Sequence, residues 1–447
     1  MPSAQPSLKK LKLIPLAAVI FFTVSGGPYG LEPLLGYAGK NGALVLLLIT
    51  PILWDIPAIL TVFELNSMMP VNGGYYQWVK RALGMRMAFY EGWLTWLYTF
   101  VDLAIYPVLF ITYAAYFFPE AETYKVPICL FIIWSSALVN ILGIVPVGKV
   151  SAVLSSMVIV PFAALAIAGF MQHAGPYEVP ALSLKGIGFS SVGMGLYVVM
   201  WNFLGWDNAT TYAGEVSNPI KSYLKATLIT FVAVIAVYFF TVLTAIQSGM
   251  SLDAITDKGF PFLGLYIGGN WLGCLLSAGG MACVLGLYSA VLLSVSRVPK
   301  VMADDGLMPK KLEALHPKYN SPYVSILVCS VVVSMMIILS FKELLIMDVT
   351  LYGAGLALEF ISLIVLRIKA PNAHRPFKIP LNVFGLFVMV MFPMGVFGVA
   401  VAGAVLQSEE TLKPLLYALG IMISAEVLWQ IIIWRKPELK KAAHNDV

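Results

Sequence analysis

Apolar stretches of roughly twenty residues recur from residue 13 to residue 434, and no soluble core has room for so many. We mark spans at 13–38, 42–69, 88–118, 126–144, 151–172, 190–214, 222–248, 268–298, 322–340, 344–368, 382–406 and 414–434. Spans 3 and 8 are long enough to imply tilt. Only 11% of the 447 residues are charged, against about 25% in an ordinary soluble domain. That excludes a set of soluble domains, and 60% hydrophobic residues exclude disorder. The reading is an all-α polytopic membrane protein with the lipid bilayer as its first partner. The net charge of +5 is not gathered on a soluble face, so no nucleic acid partner is expected. Cys129, Cys274, Cys283 and Cys329 lie in apolar stretches without a CxxC pattern and read as buried small hydrophobes. Three lysines precede span 1 and no small-residue cleavage site follows it, so span 1 reads as a retained helix.

The basic residues orient the spans. An even count puts both termini on one side, and that side receives 22 of the 28 lysines and arginines. Lys40, Lys125, Lys185, Lys258, Lys342 and Lys413 fall on the other. By the positive-inside rule both termini are cytoplasmic in a plasma membrane. Trp54, Trp78, Trp271 and Trp434 are expected as interfacial anchors.

Two spans carry breaks. Span 1 contains Ser25-Gly26-Gly27-Pro28-Tyr29-Gly30, and span 6 contains Trp201-Asn202-Phe203-Leu204-Gly205-Trp206-Asp207-Asn208. Glycine and proline strip helix propensity from the first. The second is polar for its depth. Span 1 opens the first five spans and span 6 opens the next five, in opposite orientations. Paired breaks of this kind point to a secondary transporter's binding site, although such residues also make simple packing kinks. A broken helix offers N–H groups to a carboxylate and carbonyls to an ammonium group. An α-amino acid uses both, whereas a polyamine uses acceptors alone.

Acidic residues in or near the spans sharpen this. Glu32, Asp55, Glu64, Asp102, Asp207, Glu215, Glu359 and Glu426 have no Lys or Arg at similar depth in the sequence reading. A bilayer charge costs at least about 2.5–3.5 kcal/mol, so a cationic solute or a proton is the missing partner. Asp207 either lines a cavity or caps the second half of span 6. Glu32 starts the second half of span 1, where the helix dipole favours an anion for any function. Glu215 reads as a gate or loop contact, Glu64 as structural, and Glu426 as unrelated to transport. Trp201, Phe203 and Trp206 flank the break, and Tyr106 and Tyr352 lie in spans 3 and 10. Aromatic faces attract ammonium groups, close gates, or simply pack.

The candidate substrate contacts are therefore Ser25, Gly26, Gly27, Gly30, Glu32, Asp102, Trp201, Asn202, Phe203, Trp206, Asp207 and Tyr352. Glu215, Glu359 and Tyr106 are gating or coupling candidates. No metal site and no cofactor are expected. His173, His316, His374 and His444 fall in loops or tails, with no HExxH, GxSxG or paired-cysteine site, which argues against an enzyme. Replacing Asp207 by Asn is expected to weaken cation uptake.

Seven segments, in order, resemble the amino acid–polyamine–organocation superfamily, nearest its polyamine-uptake and L-type amino acid transporter branch. They are SGGPYGLE (25–32), MMPVNGGYYQWVKRALG (68–84), VDLAIYPVLF (101–110), WNFLGWDNATTYAGEVSNPIKSY (201–223), SRVPKVMADDGLMPKKLEALHPKYNSPY (296–323), LYGAGLALEF (351–360) and HRPFKIP (374–380). The resemblance implies twelve transmembrane helices in a five-plus-five inverted-repeat, leucine-transporter-like fold. The units would be a tail at 1–12, a first repeat at 13–172, a second at 190–368, two extra helices at 382–434, and a tail at 435–447. It implies alternating access around spans 1, 3, 6, 8 and 10. Cationic polyamine import coupled to H+ is favoured over neutral or cationic amino acid transport or exchange, with a channel or receptor remote. Span 5 lacks the lysine of some proton-coupled members, while Ser155 and Ser156 are candidates for a sodium site or for bonds within the helix. The 3–4 loop lacks the cysteine through which animal relatives join a heavy subunit, so no obligate disulfide-linked partner is expected.

Overall fold

The computed structural model describes residues 10–172, 180–337, 341–407, 409–437 and 439. Most of the two expected tails, with Lys9, Lys440, Lys441 and His444, and the loop carrying His173 lie outside the described residues. Among the described residues the chain is helical, with two isolated β-bridges and no strand. Nine helices among the described residues are long and apolar enough to cross a membrane. Three shorter apolar helices, Leu13–Val24, Phe189–Trp201 and Tyr323–Met336, lie where the sequence places spans 1, 6 and 9.

In chain order the helices begin with α1 (Leu13–Val24), α2 (Glu32–Thr50), α3 (Ile56–Met68), α4 (Gly74–Leu83) and α5 (Met85–Ala114). They continue as α6 (Lys125–Ile141), α7 (Ile144–Gln172), α8 (Phe189–Trp201), α9 (Pro219–Gln247), α10 (Leu252–Lys258) and α11 (Phe260–Gly268). The last six are α12 (Asn270–Val295), α13 (Arg297–Asp304), α14 (Tyr323–Met336), α15 (Phe341–Lys369), α16 (Val383–Gln407) and α17 (Glu409–Arg435). Span 1 is α1, an unwound stretch and the start of α2, which kinks at Gly39 before span 2 begins. Pro51–Asp55 forms a wide π-turn between α2 and α3, a distortion that often marks functional sites.

The centre of the bundle is α5, α12 and α15. The most apolar stretch of α12 is 83% buried, whereas that of α17 is 17% buried. α12 packs on α7, α5 and α1, and α15 packs on α5, α4 and α17. Phe131, Met335, Phe384 and Trp434 point outward, the side that lipid covers. Close crossings use small residues: a Cβ on Gly193 of α8 would lie 2.5 Å from the Gly403 Cα of α16. Trp271 and Trp434 are exposed as interfacial anchors would be. Trp54 and Trp78 are instead fully buried, because α2–α3 and α4 turn those faces inward. Cys129, Cys283 and Cys329 are buried free thiols, and Cys274 is half-exposed.

Candidate functional site

The break in span 1 unwinds residues 25–31, with Gly26, Gly27 and Gly30 at positive φ. Five of its N–H groups, those of Ser25, Gly26, Gly27, Gly30 and Leu31, are already occupied. Gly26 N–H donates to Phe21 O at 2.9 Å, and Leu31 N–H to Pro28 O at 3.0 Å. Gly27 N–H donates to Ser25 Oγ at 2.9 Å, and Gly30 N–H to Glu32 Oε2 at 2.7 Å. Glu32 Oε1 also accepts from Phe260 N–H at 3.4 Å, so its carboxyl ties the break to α11. The chain thus supplies its own anion to the N-terminus of α2.

The break in span 6 follows α8. Gly205 has φ +95°, and a Cβ there would sit 2.3 Å from Thr23 O. Only glycine fits this conformation and this approach to span 1. The expected second half-helix is absent: Asn208–Thr211 and Ala213–Glu215 are short 3-10 turns. Asp207 therefore caps no α-helix.

The two breaks meet α5 and α15 around a narrow cavity of about 20 Å³, room for about one water. Ser25, Asp102, Tyr106, Trp201, Asn202 and Tyr352 line it, as do Tyr98, Gly205 and Asp348. Tyr106 donates to Asp102 Oδ2 at 2.6 Å, and the Trp201 side chain also bonds Asp102. The Tyr238 hydroxyl lies 2.6 Å from Ser25 Oγ and 2.9 Å from Asn202 O, stitching the two breaks together. Asp348 Oδ1 and the Tyr98 hydroxyl have no hydrogen-bond partner among the described residues. A larger groove of about 880 Å³ lies between α7, α9 and α11, and among the described residues no charged side chain lines it.

Several candidates stand off this wall. Asp207 is behind Tyr352, whose hydroxyl donates to Asp207 Oδ1 at 2.8 Å and accepts from Gly205 N–H at 3.2 Å. Glu359 is in hydrogen-bonding reach of Asp207, one layer deeper. Phe203 packs edge-on against Tyr238. Trp206 turns away to Asp55, with Nε1 to Oδ1 at 3.1 Å, which gives that acid its facing. Gly26 approaches Leu287 and Cys283, Gly27 approaches Val158, and Gly30 packs on Trp201. Ser155 and Ser156 bond back to Ala152 O and Val153 O within α7.

Two acids absent from the sequence reading belong here. Asp348 is on the cavity wall, and Glu91 of α5 is buried beside α15. A signal was available. Glu91, Thr95, Tyr98, Asp102 and Tyr106 recur at helical spacing along one face of α5. Asp348, Tyr352, Gly355 and Glu359 do the same on α15.

The opposite correction applies to acids outside the centre. Glu64 is paired, by arginines whose place in the sequence, at and after the end of span 10, suggests a loop. Arg367 Nε and Nη2 donate to its two oxygens, Arg375 Nε lies 3.1 Å from Oε1, and Ile379 N–H donates to Oε2 at 2.8 Å. Glu215 pairs with Arg297 at 3.1 Å. Beside that pair, Leu11 N–H donates to Glu215 O and Ser217 N–H to Leu11 O, both at 3.0 Å, tying the chain before α1 to the segment before α9. Lys80 and Tyr76 hold Asp305 at 2.7 and 2.6 Å, and burial, then the Asp305 charge, push the Tyr76 pKa up. Glu426 pairs with Arg86 at the exposed surface.

Interrupted helices that enclose unpaired carboxyls inside an apolar bundle define a multi-pass membrane transporter of small solutes. The chain belongs to the amino acid permease family, whose profile matches residues 11–425. It is 34% identical over 400 residues to the polyamine transporter RMV1 of Arabidopsis thaliana, covering 88% of this chain and 81% of that one. It is 32% identical over 435 residues to the polyamine transporter PUT1 of Oryza sativa subsp. japonica, covering 96% and 78%. The serine/threonine exchanger SteT of Bacillus subtilis is 22% identical over 391 residues, covering 84% and 87%. Membership makes the chain a transporter and not an enzyme.

Proposed function

We propose that this permease imports a polyamine by alternating access, coupled to protons. The observation that carries the reading is the pair Asp102 and Asp348. Both are on the cavity wall, and neither forms an ion pair among the described residues. An ammonium group supplies the missing charge, and the faces of Tyr98, Trp201 and Tyr352 suit it. The relatives named as polyamine transporters support the same choice.

A second reading, amino acid transport or exchange, draws on the permease family and on SteT. It is weakened at the span 1 break. The N–H groups of Gly26, Gly27, Gly30 and Leu31 are taken, and Glu32 occupies the N-terminus of α2 where an α-carboxylate would compete. Ser25, Asn202, Asp102, Asp348, Trp201 and Tyr352 are the proposed substrate contacts. In this role Gly26, Gly27, Gly30, Glu32, Phe203 and Trp206 shape the breaks, while Tyr106 orients Asp102. Glu215 with Arg297 is the inner gate.

Within this proposal the protein has twelve spans in two inverted five-helix repeats plus two trailing helices. Both termini face the cytoplasm of a cell bounded by the plasma membrane. The tight cavity corresponds to a closed stage of the cycle, and α1 and α8 bend to open it. Calorimetric titration of the detergent-purified protein with spermidine and with leucine tests the substrate class. Saturable heat with spermidine alone is expected, and heat with leucine alone refutes the reading.

A further inference from the structure

We infer that Glu91, Asp207 and Glu359 form a proton-holding site, separate from the cavity and joined to it through Tyr352. Its role in coupling rests on the transport reading above; its existence rests on geometry. Glu91 comes from α5, Asp207 from the broken stretch after α8, and Glu359 from α15. All three are buried, at 1%, 3% and 1% exposure. Asp207 and Glu359 are in hydrogen-bonding reach. Glu91 presses on α15 where Gly355 leaves space: a Cβ there would be 3.3 Å from Glu91 Oε1, one turn before Glu359. Oε2 of Glu91 and Oε2 of Glu359 have no hydrogen-bond partner among the described residues.

Two ionised carboxylates are acceptors only, so a hydrogen bond between them requires a proton on one. No basic group takes its place. The ionisable groups facing the three are Tyr75 of α4, Tyr98 of α5, Tyr223 of α9 and Tyr352 of α15. Among the described residues no Lys, Arg or His forms an ion pair with any of the three. The Thr95 hydroxyl donates to Glu91 Oε1 at 3.2 Å, which leaves the charge in place. A proton arrives from water on one side, binds a carboxylate oxygen, and leaves to water on the other side.

Tyr352 gives this site a lever. Its hydroxyl contacts Asp207 and Gly205, and its ring lines the cavity and meets Tyr98 edge-on at 5.5 Å. Loss of the shared proton leaves two carboxylates in contact. Glu359 is fixed within a helix, so the non-helical segment with Asp207 is the part that yields. Its movement shifts Tyr352 and Gly205, and the cavity wall with them.

The test uses the full chain in liposomes, with two readouts on the wild type, Glu359→Gln and Glu91→Gln. Infrared spectra at neutral pH are expected to show a protonated-carboxyl band in the wild type that Glu359→Gln diminishes. The ratio of pH-gradient-driven spermidine accumulation to spermidine counterflow is expected to fall about tenfold or more in each variant. Glu91→Gln keeps the test decisive if Glu359→Gln fails to fold. An identical band in all three proteins, or an unchanged ratio in a folded variant, overturns the site. A band lost in Glu359→Gln alongside a wild type that carries no amine supports the site and refutes the substrate reading instead.

Discussion

Asp102 of α5 and Asp348 of α15 stand on the wall of one narrow cavity, with Tyr98, Trp201 and Tyr352 beside them. Asp102 is hydrogen-bonded to Tyr106, whereas Asp348 keeps one oxygen without a partner among the described residues. A carboxylate held this way in an apolar bundle calls for a cation or a proton.

Asp348→Asn is expected to raise the KM for spermidine roughly tenfold to a hundredfold. The reason is loss of one charge-assisted contact, about 1.5–3 kcal/mol. Initial uptake rates in proteoliposomes measure it. An unchanged KM removes Asp348 from the substrate site. Asp102→Asn should act in the same direction and also free the Tyr106 hydroxyl.

Gly205→Ala is expected to abolish uptake. A left-handed φ costs a non-glycine residue about 1–2 kcal/mol, and the new methyl meets backbone at Thr23, which cannot swing away. Gly395→Ala in α16 is the control, since a Cβ there meets nothing within 4 Å. Thermal melting in detergent should fall for the first variant and hold for the second. Equal melting and equal uptake would mean that span 6 does not need its glycine.

Glu64→Gln is expected to destabilise the fold by about 3–5 kcal/mol, because it leaves buried Arg367 and Arg375 without their shared counter-charge. The melting temperature should drop by several degrees. Arg86→Gln, which removes the exposed contacts to Glu426 and to the neighbouring Tyr90, should leave it nearly unchanged. Similar melting for both variants would contradict a stabilising role for the buried cluster.

The sequence made the breaks legible for a local reason. SGGPYG and the Gly205 stretch cannot continue a helix, and local propensity is what a sequence displays. Five predicted contacts, Ser25, Asp102, Trp201, Asn202 and Tyr352, and the gating or coupling candidate Tyr106 also reach one cavity. Acid pairing was not legible. Glu91 and Asp348 lie near the ends of apolar runs, where depth is ambiguous, and only the polar stripes of α5 and α15 reveal them. Arg367 and Arg375 counted as topology signals, yet the fold turns both onto Glu64 across more than 300 positions of sequence. Asp207 followed the break as expected, but Tyr352 stands between it and the cavity.

Competition for labelled spermidine uptake into proteoliposomes of the wild-type chain tests the central claim most directly. Unlabelled putrescine and spermidine are expected to compete, and leucine and serine are not. Uptake that leucine suppresses and spermidine does not would contradict a cation site built on Asp102 and Asp348.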